Sequence, residues 1–357
     1  MRTQPISLRP KLPGLFVDLC SPCPRSAYCQ KSADQQCLIP QTQVEPFWES
    51  ERRRVEAVGG MEPQRLAPLL LQPRLSKVTH IVGRGEHFDP RELMPSSLGV
   101  YASDVVSDLK DGFHVQRELL AKRQLLDVEK VLVISAKDEW LRGFTRFVDR
   151  PFADSVLWLD FAAVMGPNLS GYHHNDHSVW LDNRAVCQQF MKFALERGLP
   201  AIFHTYLEDS MVHQDWLVAY LERNPSQKFI ATGFDCNGTN NTRFVERRIQ
   251  LLQEVQSRVG RKLHVVLHTV MTGLRLIKYA HDAFPKRIYL IGRSLVRDSF
   301  SGKSIHFRPD GASARTPRDP DYRPGMALFK HNARMHADAL ADFIPGFFDA
   351  PAAHELN

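Results

Sequence analysis

Short β-branched and aromatic runs recur along this chain between stretches of helical periodicity, and that alternation narrows the available folds more than any other feature. The runs are Lys77–Val82, Gly99–Ser103, Lys130–Ser135, Ser155–Asp160, Pro200–Tyr206, Lys228–Phe234, Lys262–Thr269 and Arg287–Gly292. Each is nearly continuous in apolar residues instead of alternating, which is the pattern of strands covered on both faces. Between them, 182–197, 243–259 and 273–283 carry apolar residues at helical spacing. Doubly covered strands separated by helices make a parallel sheet, and eight of them point to an α/β fold with a (β/α)8-like barrel.

The first two runs lie too close together for a full helix, so the barrel is expected to be irregular in its first quarter. An open doubly wound sheet of six strands is the alternative. No G-x-G-x-x-G follows a run. Ser301-Gly302-Lys303-Ser304 lacks the glycine that a P-loop needs at 297, which here is Arg297. A dinucleotide fold and a P-loop NTPase are therefore disfavoured.

With 357 residues, 43% of them hydrophobic, the chain can bury one large core. Four parts are expected: a Cys-rich loop at 1–45, a connecting basic helix and linker at 46–75, the barrel at 76–345 and a tail at 346–357. No apolar run approaches the ~20 residues that span a bilayer, so no membrane partner is expected. A net charge of +6 is spread thinly and only permits a nucleotide or nucleic acid as partner. Its densest pieces are 51–56, 243–248 and the loop-like stretch 297–323.

Four of the six cysteines, Cys20, Cys23, Cys29 and Cys37, fall within one short stretch as C-x2-C-x5-C-x7-C, and only Cys187 and Cys236 lie elsewhere. Four thiolates in one loop can close around a metal or a cluster without help from the fold. Uneven spacing and the Cys23-Pro24 pair favour an iron–sulfur cluster. A single C-x-x-C pair fits zinc less well, and disulfides would need an oxidising compartment. Residues Met1–Pro13 contain no apolar leader core, so a cytoplasmic location is expected. The absence of C-x3-C-x2-C argues against radical chemistry with S-adenosylmethionine. Cys187 reads as a small buried hydrophobe in a helix.

In either architecture the active site lies at the carboxyl ends of the strands. The residues ending the runs are Asp138, Asp160, His204 with Tyr206, Asp235, His268 with Thr269, and Arg293 with Ser294. Asp160 and Asp235 follow apolar runs directly, where a carboxylate is costly to bury without a partner or a task. They suggest two-carboxylate chemistry such as glycosyl transfer, with His204 and His268 as polar helpers. The alternative is that Asp160 caps a turn and Asp235 orders the following polar loop. Arg293, Ser294 and Lys303 follow the last run, where barrels often hold a phosphate. The histidine-rich loop 171–177 lacks the i, i+4 spacing of a zinc hydrolase and reads as a polar loop.

The stretch from Lys130 to Gly233 resembles domain of unknown function 4417, a family found on phages and other mobile elements. The likeness runs through VLVISAKDEW at 131–140, Arg150-Pro151, LWLDFAAVMGPN at 157–168, Asp182-Asn183-Arg184, a glutamine at 188 or 189, RGLPAIFHTY at 197–206 and FIATG at 229–233. This chain carries His204-Thr205-Tyr206 where the family tends toward Trp. The resemblance implies an α/β fold and points at Asp138, Asp160, Asn183 and Arg184. The segment FDCNGTNNTR at 234–243 is similar to part of the tRNA-guanine transglycosylases, zinc-binding barrels whose metal ligands lie late in the chain.

These readings converge on a barrel enzyme acting on a nucleotide, nucleoside or nucleic-acid base, with an iron–sulfur cluster or zinc held by the cysteines. The other reading is a non-catalytic nucleic-acid-binding or redox-sensing protein built around the same cysteine loop.

Overall fold

The computed structural model describes residues 63–83, 97–169, 177–205, 211–233, 242–316 and 323–349. Only the backbone is described at 177–182, 211–213 and 242–244. Strands β1 (Val78–Val82) and β2 (Ser97–Tyr101) come first. They are followed by a one-turn helix α1 (Ala102–Val105), a hairpin of β3 (Val106–Leu109) and β4 (Gly112–Val115), and α2 (Arg117–Ala121). The chain then alternates through β5 (Lys130–Val133), α3 (Asp138–Phe147), α4 (Arg150–Trp158), β6 (Phe161–Met165), α5 (His177–Glu196), β7 (Ala201–His204) and α6 (Met211–Arg223). It continues with β8 (Phe229–Gly233), α7 (Thr242–Val259), β9 (His264–His268), α8 (Leu274–Ala283), β10 (Ile288–Gly292) and α9 (Ser294–Phe300). A second hairpin, β11 (Ser304–Phe307) with β12 (Ser313–Thr316), precedes α10 (Met326–Phe343).

Eight strands close a parallel barrel in the order β1-β10-β9-β8-β7-β6-β5-β2, so the barrel reading is met. The irregular first quarter is met too: the β3–β4 hairpin and two short helices stand between β2 and β5. The barrel interior is filled by Ile81, Val133, Met165, Ile202, Ala231 and Val266 among others, while a larger apolar shell packs the outer strand faces against the helices. Both faces of every barrel strand are therefore covered, as the continuous apolar runs require.

One run was not a strand. Residues 150–158 form α4, with Pro151 in the first turn, where its missing N–H and fixed φ suit a helix start. The strand follows at Phe161–Met165. Leu157 and Trp158, which made the run look buried, are 41% and 71% exposed.

The N-terminal end of the barrel is sealed. Residues 63–77 run across it, held by Leu66 N–H donating to Asn224 Oδ1 at 2.7 Å, Arg74 N–H to the Ala162 carbonyl at 2.9 Å, and Leu290 N–H to the Lys77 carbonyl at 2.8 Å. Leu75 packs against the interior cluster, below Phe229, which stacks on His264 at 4.5 Å. The Tyr289 hydroxyl pairs with His264 Nδ1 at 3.1 Å. No described helix is long and apolar enough to cross a membrane.

On the outer face of β1, His80 is buried against α10, with the Phe329 ring edge-on at 5.1 Å and His336 nearby. Burial, reinforced by the neighbouring His336, lowers His80 to about 3; burial lowers His336 to about 4, despite a hydrogen bond to the Met271 backbone. Both bind protons more weakly folded than unfolded, so their stabilising contribution is full above about 6.5 and is lost as pH falls toward 4 and 3. At pH 4.5 the His80 contribution to stability is expected to be down by ~3 kcal/mol. Urea unfolding between pH 7 and 4.5 is expected to show a shallower decline for His80→Leu than for the native chain; parallel curves would contradict this.

Candidate active site at the barrel mouth

The alternation that sends Ile202, Ala231, Val266 and Ile291 inward also sends inward the residue two positions on, at the carboxyl end of each strand. These residues are His204, Gly233, His268 and Arg293, joined by Tyr101 at the end of β2 and Gly83 after β1. Asn168, in the loop after β6, completes the layer.

The contacts agree with this placement. Asn168 Nδ2 lies 3.2 Å from His268 Nδ1, and the Tyr101 ring stands edge-on to His268 with centroids 6.4 Å apart. A Cβ on Gly233 would sit 3.0 Å from Asn168 Oδ1 and 3.2 Å from His204 Nε2. A Cβ on Gly83 would fall 1.9 Å from an Arg293 guanidinium nitrogen. Both glycines therefore leave room that polar side chains of the mouth occupy.

The elements behind this layer are tied together by hydrogen bonds. Thr205 N–H donates to the Ala231 carbonyl at 2.8 Å, and the Cys187 thiol to the His204 carbonyl at 3.1 Å. Buried Arg248 on α7 donates to the Gly233 carbonyl at 2.8 Å. Thr269 adopts a φ of 77°, rarely tolerated by a β-branched residue. Strain of this kind, ~1–3 kcal/mol, collects at functional sites because the surrounding structure must hold it in place.

Burial, then the proximity of His268 and of Arg248, holds the His204 imidazole well below its ordinary range, so His204 is neutral at physiological pH. Burial pushes the Cys187 thiol up to about 12, which makes it an inert packing group, as its helical setting implied. None of the described inward-facing strand ends is Asp or Glu. Among the described residues no group of three His, Cys, Asp or Glu could hold a metal ion.

His204 and His268 are thus brought together, while Arg293 follows β10, the strand next to β9, and lies over Gly83 after β1. Ser294 opens α9 directly after Arg293. Lys303 lies beyond α9, about 10 Å of helix away, in an exposed turn whose carbonyl accepts from Asn332 at 2.9 Å. Asp138 begins α3 on the rim after β5. Asn183 and Arg184 are buried on α5: Asn183 Oδ1 accepts from Arg142 at 3.1 Å, and the Arg184 guanidinium lies 4.5 Å from the Trp216 ring.

Asp160 needs correction. It precedes β6, at the end of the barrel opposite the mouth, in a turn with φ 50°. Its side chain is 83% exposed and pairs with Arg74 at 3.0 Å. The strand reading had placed a helix end at a strand end, so a two-carboxylate pair built on Asp160 is not assembled. Asp235, Tyr206, Cys236, the histidine-rich loop at 171–176 and Cys20, Cys23, Cys29 and Cys37 lie outside the described residues.

Two members of the layer escaped the sequence reading. Asn168 follows β6 through Gly166-Pro167, a turn signal that lies beyond the run read as Ser155–Asp160. Tyr101 lies in the middle of the run Gly99–Ser103, but the strand itself stops there, at Ser97–Tyr101.

No family model matches the chain, and no curated protein does. Among solved structures it is similar to the enoyl reductase domain of MlnA from the macrolactin biosynthesis cluster of Bacillus amyloliquefaciens. The identity is 9% over 74% of this chain and 67% of that one, with a TM-score of 0.33, and at that level the likeness bears on no functional argument.

Asp160→Asn keeps a residue that accepts positive φ and removes only an exposed ion pair. It is expected to change the unfolding free energy by less than about 1 kcal/mol and to leave the His204 and His268 resonances in place. A shift of either resonance would tie Asp160 to the mouth after all.

Proposed function

We propose that this protein is an enzyme whose barrel mouth takes a small substrate of the nucleotide, nucleoside or nucleic-acid base class. The observation that carries this reading is the inward-facing layer of Arg293, His268, His204, Asn168 and Tyr101, drawn from five positions far apart in the chain onto one rigid surface. The guanidinium suits a phosphate or another anion. Tyr101 and the imidazoles offer flat faces against which a base can stack. Imidazole is also the side chain best matched to proton transfer near neutral pH. The likeness of 234–243 to tRNA-guanine transglycosylases is the sequence support for a nucleobase.

The test is equilibrium binding of AMP, GMP, CMP, UMP and inorganic phosphate to the full chain and to Arg293→Ala. One nucleotide is expected to bind at millimolar or lower concentration, and Arg293→Ala to weaken it at least ~10-fold, the loss of one charge-assisted hydrogen bond of ~1.5–3 kcal/mol. Equal binding by both proteins would move recognition away from the mouth and favour a basic nucleic-acid-binding surface instead.

An iron–sulfur cluster or a zinc ion on Cys20, Cys23, Cys29 and Cys37 belongs to the same proposal, supported by the donor set of four thiolates in C-x2-C-x5-C-x7-C spacing. Protein purified without oxygen is expected to contain either iron with sulfide and a brown colour, or one zinc, and to lose it in a Cys20→Ala, Cys23→Ala variant. Native protein free of all three elements would remove this part.

A further inference from the structure

We infer that Asn168 is a positioning residue that joins His204 and His268 into one unit and holds His268 in the tautomer whose proton is on Nε2. The inference rests on the reading of the mouth as the active site and adds to it the direction in which a proton or hydrogen bond is offered.

Asn168 is held from its backbone outward. Gly166 N–H donates to the Ile202 carbonyl at 2.9 Å, Pro167 fixes its own φ, and Asn168 N–H donates to the Ile134 carbonyl at 2.9 Å. The loop is thereby tied to β7 on one side and to the end of β5 on the other, and the amide projects over the barrel axis. An amide nitrogen can only donate. With Nδ2 at 3.2 Å from His268 Nδ1, that ring nitrogen must accept, so its proton resides on Nε2.

The amide oxygen and the other imidazole both lie close to Gly233. The vacant Cβ position of Gly233 lies within 3.0 Å of Asn168 Oδ1 and 3.2 Å of His204 Nε2, so both atoms crowd the same bare stretch of backbone. A Cβ at 233 would press on both, and each would have to give by a few tenths of an ångström. His268 is itself fixed by its pairing with Gly233 on β8 and Ile291 on β10, and by the left-handed turn at Thr269, whose N–H donates to the Ile291 carbonyl at 2.8 Å. His204 is fixed by the Cys187 and Thr205 contacts.

The two imidazoles are therefore not equivalent. His268 is poised to donate through Nε2–H, while His204 stays a neutral neighbour. Arg293, on the strand next to His268, also offers only donors. The group they meet is then an acceptor oxygen of the substrate, a phosphate or carbonyl oxygen.

Histidine-selective 15N–1H long-range NMR of the full chain at pH 7.5, with His268 assigned through His268→Gln, tests this without a substrate. Native protein is expected to show His268 protonated on Nε2. Asn168→Asp, whose carboxylate only accepts, is expected to switch the proton to Nδ1. Asn168→Ala is expected to bring up a minor Nδ1–H form, and Gly233→Ala to shift the signals of both His204 and His268, while circular dichroism confirms that each variant folds. An Nδ1–H native form, or a His268 signature unchanged in both Asn168 variants, would falsify the inference. The tautomer switch together with failure to bind any of the four nucleotides would uphold the unit and reject only the nucleotide reading.

Discussion

Closure of the barrel between β1 and β10 is the contact on which everything else rests. Thr79 pairs with Ile291 and His80 with Gly292, joining residues more than two hundred positions apart. Until that pairing forms, the sheet has two open edges and its interior residues lack a common axis. Once it forms, the alternation of side chains turns a set of separate strand ends into a ring. A slip of one residue in any strand would exchange its two faces, burying Phe203 in the mouth and turning His204 toward the helices. The apolar residues that enforce register therefore also aim the polar ones.

The two ends of the barrel are built differently. At the N-terminal end, residues 63–77, Leu75, Phe229, His264 and Tyr289 make a plug, and the polar atoms there have partners within the plug. Lys77 reaches the Lys286 carbonyl and lies 5.0 Å from the Tyr289 ring, and burial lowers it to about 8. Asp160 belongs to this end, where it forms an exposed ion pair with Arg74 of the crossing segment. At the other end two glycines replace side chains, a threonine holds a strained turn and buried arginine stands behind the wall.

How much was legible follows from which signals are local. Continuous apolar runs announced seven of the barrel strands, because a strand covered on both faces has nothing else to show. The eighth failed where a helix end carried Leu157 and Trp158 into the same pattern: hydrophobicity alone does not separate a short buried strand from a helix, and Pro151 was the signal that would have done so. That error of a few residues moved the expected strand end from the Asn168 loop to Asp160, and with it the expected chemistry from an amide between imidazoles to a carboxylate. His204, His268 and Arg293 were found because their strands were placed correctly. Asn183 and Arg184, at which the family resemblance points, are buried on α5 in contact with Arg142 and Trp216 of neighbouring helices.

By itself the sequence determined the class of architecture, the strands from β7 onward and the polar residues that end them, because periodicity and strand ends are written in neighbouring residues. Only the tertiary structure decided which of those ends share a surface. The meeting of Asn168 with His268, the approach of His204 over Gly233 and the seating of Arg293 on Gly83 all join separate strands or the loops that follow them. Such contacts depend on register around a closed ring, a property of the whole sheet that no local stretch of residues contains.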